Sequence, residues 1–129
     1  MTVVGSFELQ IPALPAYVGT ARAFAASLGR AAGIDQERLD DLVLAVSEAC
    51  AEFLPSGEVL RLRASPRVGS LTFEIEPLGD TRPPSTDLSP PEDILRLDLI
   101  RALMPGADEH TEDGRRILAF SAALPPTAD

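Results

Sequence analysis

The chain has no lysine at all, and its eleven arginines are outnumbered by twenty aspartates and glutamates, for a net charge of −9 at pH 7. So acidic a chain is poorly suited to gripping nucleic acid without a partner protein, because that binding depends on basic side chains neutralising phosphates. A single cysteine, Cys50, excludes an internal disulfide, and a single histidine, His110, offers little for a metal centre. No apolar run approaches the ~18 to 20 residues that span a bilayer, and no charged segment followed by an apolar one opens the chain. These absences lead us to expect a cytoplasmic protein with no membrane contact and no direct contact with nucleic acid. What is present is 129 residues, 45% of them hydrophobic, enough for the core of one ordinary domain and too few for two.

Periodicity orders that domain. Ser6 to Ile11 alternates polar and apolar residues as a half-buried strand does, and Pro12 and Pro15 close it. From Ala16 to about Ala32, Val18, Ala21, Phe24, Ala25 and Leu28 recur at helical spacing, with Gly33 placed for a C-cap. Asp35 is a suitable N-cap for a second helix running to about Leu54, and Glu37 suits the positive end of its dipole. Val59 to Ala64 and Leu71 to Glu76 read as strands of a hairpin turning at Pro66 to Gly69. The polar, proline-rich stretch Pro77 to Pro91 reads as a loop. Ser89-Pro90-Pro91-Glu92 then forms a capping-box pattern for a third helix ending near Pro105-Gly106. Two more strands, Ala107 to Thr111 and Arg115 to Leu124, turn at Asp113-Gly114, and residues 125–129 are expected to fray.

In the second helix, Leu39, Leu42, Val43, Val46, Cys50 and Phe53 make an apolar stripe, while Asp41, Ala45, Glu48 and Glu52 line another face. Glu48 and Glu52 are one turn apart and point the same way. The whole order predicts a two-layer α/β sandwich, a mixed sheet with its helices on one face.

The run Ser47-Glu48-Ala49-Cys50-Ala51-Glu52 resembles the Ser-Glu-Ala-x-x-Asn motif of the anti-sigma-factor serine/threonine kinases, within the histidine-kinase-like (GHKL, or Bergerat) ATPase superfamily. Leu14-Pro15-Ala16-Tyr17-Val18 with Arg22, and Leu97 to Met104, are similar to that family's first and third helices. The resemblance implies the Bergerat fold over nearly the whole chain. It also implies Glu48 as general base, with ATP and magnesium as cofactors.

Position by position, the likeness to the ATP site breaks. Glu52 stands where the family has its magnesium-holding asparagine, and Ser56 stands for a histidine, although Gly57 matches. The adenine-binding Asp-x-Gly-x-Gly box falls on Pro77 to Thr81 and keeps only Gly79. The second glycine box falls on Ile94-Leu95-Arg96-Leu97, putting side chains where bare backbone would approach phosphates. Two carboxylates at Glu48 and Glu52 would repel a triphosphate, though magnesium could bridge them.

Two functions follow. One is a regulatory binding domain, with no cofactor, that docks a sigma factor or an anti-sigma-factor antagonist and has the option of forming a homodimer. The other is a working serine/threonine kinase that uses ATP and Mg2+. Glu48, Glu52, Gly57 and Gly79 are the candidate site residues, with no metal ligand proposed. Plainer roles exist beside these: Glu48 and Glu52 as a solvated helix face, His110 in an exposed loop, and Cys50 as a buried thiol. Arg115 and Arg116 read as a turn and strand edge, with a smaller claim to an acidic partner.

Overall fold

The computed structural model describes residues 5–54, 58–79 and 91–126. Strands β1 (Phe7–Pro12), β2 (Val59–Arg67), β3 (Ser70–Leu78), β4 (Asp108–Glu112) and β5 (Arg115–Ala123) form one sheet in the order β1-β2-β3-β5-β4. Helices α1 (Val18–Ala31), α2 (Gln36–Glu52) and α3 (Pro91–Leu103) complete the chain, with a 3-10 turn at Pro15–Tyr17 leading into α1.

Strand alternation decides which face the helices cover. Leu60, Leu62 and Ala64 of β2, Leu71, Phe73 and Ile75 of β3, and Leu118, Phe120 and Ala122 of β5 are all buried and share one face through the strand register. The rings of Phe73 and Phe120 stack across strands at 6.0 Å. The intervening residues, among them Glu8, Arg61, Arg63, Thr72 and Glu74, occupy the opposite face. The result is the expected two-layer sandwich.

One expectation needs correction: the sheet is antiparallel throughout, not mixed. The passage from β3 through α3 does deliver β4 running parallel to β3. The short Asp113-Gly114 turn then sends β5 back into the gap between them, so no parallel pair forms. Both turn residues have positive φ, 51° at Asp113 and 77° at Gly114, the conformation a two-residue hairpin of this hand requires.

Two prolines that looked like strand breakers lie inside strands. Ala13 donates to the carbonyl of Glu58 at 3.1 Å, which fixes Ile11, Leu9 and Phe7 as the β1 residues whose backbone bonds turn inward to β2. Pro12 and Pro66 therefore direct their missing N–H toward unpaired edge, where it costs nothing. The strand β2 accordingly runs to Arg67, and the turn shrinks to Val68-Gly69. Likewise β3 continues through Pro77 and Leu78, which shortens the expected loop; residues 80–90 lie outside the described residues.

Helix α2 begins as expected, with the Arg38 amide donating to the Asp35 carboxylate at 2.9 Å. It packs between α1 and α3, and this widens its buried arc. Ala45, expected on the polar face, is consequently fully buried, as is Ala49. The third helix starts at Pro91; the Ser89 cap lies outside the described residues. At the C-terminal end, the exposed Pro125 lies beside Gly33, its ring 3.6 Å from where a Cβ at Gly33 would stand. Residues 127–129 lie outside the described residues.

Candidate functional site

Glu48 and Glu52 project from the last two turns of α2 toward α3 and the β4–β5 hairpin, and neither is left to solvent. The Arg96 guanidinium on α3 reaches both: its Nε is 3.4 Å from Glu48 Oε2, and its Nη1 donates to Glu52 Oε2 at 3.3 Å. From β5, Arg116 Nη2 donates to Glu52 Oε1 at 3.0 Å, its Nε donates to Glu109 of β4, and its guanidinium lies 5.5 Å from the Phe53 ring centre. The charges thus alternate, Glu48, Arg96, Glu52, Arg116, Glu109. Glu52 is the hub, its side chain only 9% exposed and both oxygens engaged. Burial opposes the charge on Arg116, but hydrogen bonds to Glu109 and Glu52 outweigh it and hold its pKa above the ordinary arginine value.

The other expected site residues are dispersed. Gly79 follows β3 with φ +87°, and a Cβ there would approach Glu58 at 3.1 Å, so local backbone geometry alone demands glycine. Pro77, at the position aligned with the adenine-binding aspartate, is buried in β3 opposite Leu60. Residues 94–97 lie within α3, so their backbone is helix and not an open phosphate loop. Gly57 and Ser56 lie outside the described residues.

The amino-acid sequence matches the family model of the histidine kinase-like ATPase domain over residues 11–118. The chain belongs to that family. No curated protein matches it. As a histidine kinase-like ATPase domain it places the motif helix between two others, with Glu48 and Glu52 on the side facing α3. Among the described residues, no group of three or more His, Cys, Asp or Glu is placed to hold a metal ion. Chemically, the Glu52 cluster can orient groups electrostatically, but its carboxylate oxygens are already committed to arginine.

Sequence reasoning undervalued Arg96, Arg116 and Glu109. A signal was available: Arg116 shares its strand parity with Leu118 and Phe120, so an arginine stands on the face that should be apolar. Such a residue needs an acid beneath the helices.

Three further features of this ATPase-like domain stand apart from that cluster. On the sheet's open face, the buried carboxylate of Glu76 pairs with Arg61, with Arg63 at 3.7 Å and with Arg115 at 3.5 Å. His110 is a β4 residue opposite Ile117, not a loop residue as expected, and sits 3.9 Å from Asp108 and 3.8 Å from Glu112. On the solvent side of α1 and α2, a groove of about 660 Å3 has Ala26, Val43 and Leu44 along it, with Arg22 and Arg30 on its α1 side and Asp40, which accepts from Gln36 at 2.7 Å, on its α2 side. Arg22 donates to Ser47 Oγ at 3.2 Å, and among the described residues neither arginine meets a carboxylate.

Cys50 is fully buried, and burial raises its thiol from 9.0 to about 12, with a smaller opposing effect from Arg22. A neutral, enclosed thiol is inert. Iodoacetamide at pH 8 should leave native protein unlabelled and label it fully in denaturant; labelling at similar rates in both would contradict the burial. The raised folded-state value also fixes a sign. The contribution from Cys50 is intact below the unfolded thiol's pKa near 9 and is lost progressively as pH rises toward about 12. Cys50→Ala should remove that part of the alkaline destabilisation, read from urea midpoints between pH 8 and 11.

Proposed function

We propose that this domain is a regulatory protein-binding module of the anti-sigma type that does not turn over ATP. The observation that carries this reading is Glu52. At the position where the anti-sigma kinases hold magnesium with a neutral asparagine, this chain has a nearly buried carboxylate whose two oxygens are already engaged by Arg96 and Arg116. A metal entering there would have to displace two arginines, and a triphosphate would meet three carboxylates. Glu48, the residue that would act as base, is held by Arg96 as well. Phosphoryl transfer depends on positioned metal and donors around the γ-phosphate, and here the same groups bind one another.

In this reading the cytoplasmic partner is a sigma factor or an anti-sigma-factor antagonist, and the groove between α1 and α2 is the docking surface. Arg22 and Arg30 lie on one ridge of α1, eight residues or about 12 Å apart, and beside them Leu44 is 43% exposed. That pattern suits an acidic helical segment with an apolar face.

Calorimetric titration with ATP and with ADP, each with magnesium, tests the first half: no heat of binding is expected at millimolar nucleotide. Clear binding would instead favour a kinase with Glu48 as base. Glu52→Asn alone should leave the result unchanged, because Arg96 and Arg116 remain and the glycine boxes are still absent. For the second half, purified sigma factors and antagonists are titrated against wild type and against the Arg22→Glu, Arg30→Glu double variant. The double charge reversal should weaken binding at least about 100-fold, at an unchanged melting temperature. Equal affinity of the two proteins would remove the groove from the proposal.

A further inference from the structure

We infer that the C-terminal end of β5 binds a free L-α-amino acid with an apolar side chain of about leucine size, held as a one-residue strand beside Ala122. The site is a cleft of about 330 Å3 between the first turns of α2, the end of α3 and the last residues of β5. Leu103, Met104, Pro105 and Ala122 give it an apolar lining, and Arg38 and Asp41 supply one charge of each sign. It lies at the other end of α2 from the Glu52 cluster, and it does not depend on the anti-sigma reading.

At this end β5 outruns its neighbour: the β4 ladder stops at Asp108, opposite Ala119. The Leu124 amide donates to the Gly69 carbonyl at 2.9 Å, so even-numbered β5 residues bond toward β3 and odd-numbered ones toward β4. The Ser121 carbonyl and the Ala123 amide therefore project past the end of β4, and among the described residues no backbone group meets them. That pair of groups is half of a parallel ladder, in which a residue opposite Ala122 donates to the carbonyl before it and accepts from the amide after it. A free amino acid supplies both partners, its ammonium to Ser121 and its carboxylate to Ala123. Its L side chain then lies on the same face as Ala122, the buried helix side, and enters the apolar cleft.

The charges agree with that direction. Helix α2 runs antiparallel to β5, since Glu52 at its end meets Arg116 near the start of the strand. From that pair, Asp41 lies about 17 Å back along the helix and Ser121 about 17 Å along the strand, while Arg38 and Ala123 are each a little over ~20 Å away. Asp41 thus stands on the ammonium side and Arg38 on the carboxylate side. The half-buried Asp41 carboxylate has no hydrogen bond or ion pair among the described residues, and the Arg38 guanidinium has only Asp35 at 3.8 Å, so both are available.

Calorimetric titration of the full chain with L-leucine, D-leucine, L-leucinamide and N-acetyl-L-leucine tests this, with no nucleotide or partner present. L-leucine should bind. Each of the other three misdirects the side chain or removes one charged end, and should bind at least about 10-fold more weakly. Asp41→Asn should weaken L-leucine about 10-fold and Arg38→Gln, more open to water, about 3-fold, at unchanged melting temperatures. In isotope-labelled protein the Ala123 amide resonance should shift on saturation, and that of Leu124, already bonded to Gly69, should move less. Absence of L-leucine binding at about 10 mM overturns the inference. So does equal binding of D-leucine or L-leucinamide, or saturation that leaves the Ala123 amide unmoved.

Discussion

Truncating Glu76 to alanine should lower the free energy of unfolding by about 3 kcal/mol, a fall in melting temperature of roughly 10 °C for a domain of this size. Its side chain is 6% exposed and lies among Arg61, Arg63 and Arg115. With the carboxylate gone, Arg61, itself 18% exposed, keeps only Glu8 at 3.9 Å and faces two like charges. The figure lies at the low end for a broken buried ion pair because Arg63 and Arg115 are 42% and 34% exposed, so water screens them. Glu76→Gln keeps the volume and an acceptor and should cost about half as much. Urea denaturation gives the numbers; an alanine variant within about 1 kcal/mol of wild type would mean that the three arginines relax into solvent on their own.

The Arg96→Ala, Arg116→Ala double variant should lose about 2 to 3 kcal/mol, since it leaves Glu48, Glu52 and Glu109 facing one another without a cation between them. Two consequences separate this from simple loss of packing. First, the deficit should shrink as salt is added, most clearly between 10 mM and roughly 1 M ionic strength, where the Debye length falls from about 30 Å to 3 Å. Second, adding Glu52→Gln should restore at least about 1 kcal/mol in the double variant while destabilising the wild type. If Glu52→Gln destabilises both backgrounds equally, Glu52 and the arginines do not act as a unit.

Much of the fold was readable because its signals are local. Asp35 caps α2 three residues from its donor, and Asp113-Gly114 turns a hairpin in two residues. The hairpin of β2 and β3 follows from two short alternating runs separated by turn residues. The errors came where tertiary context overrode a local rule. Pro12 and Pro66 break strands in isolation but not where their missing N–H has no partner to lose. Ala45 follows the polar positions of α2 in sequence, yet a helix flanked on both sides has little polar face left.

The candidate site was half legible. Spacing alone put Glu48 and Glu52 on one side of α2. Their partners come from 44 and 64 residues further along the chain, and no periodicity connects an acid to an arginine at that distance. Only the wrong-faced position of Arg116 in β5 hinted at it.

The placement of β5 also orders events during synthesis. Strands β1 to β3 and helices α1 and α2 leave the ribosome first, and β3 then has a partner on one side only. Its other side stays unsatisfied until the chain has grown by a further forty-odd residues, as the Thr72–Ser121 hydrogen bond across the seam measures directly at 49 residues. At about 5 to 20 residues per second, that is a delay of some seconds during which the apolar side of β3 is open to other nascent chains. A stop codon anywhere before Arg115 would make that exposure permanent. Truncated products of this chain are therefore candidates for chaperone capture and degradation, whereas loss of the last few residues after Leu124 would leave the seam closed.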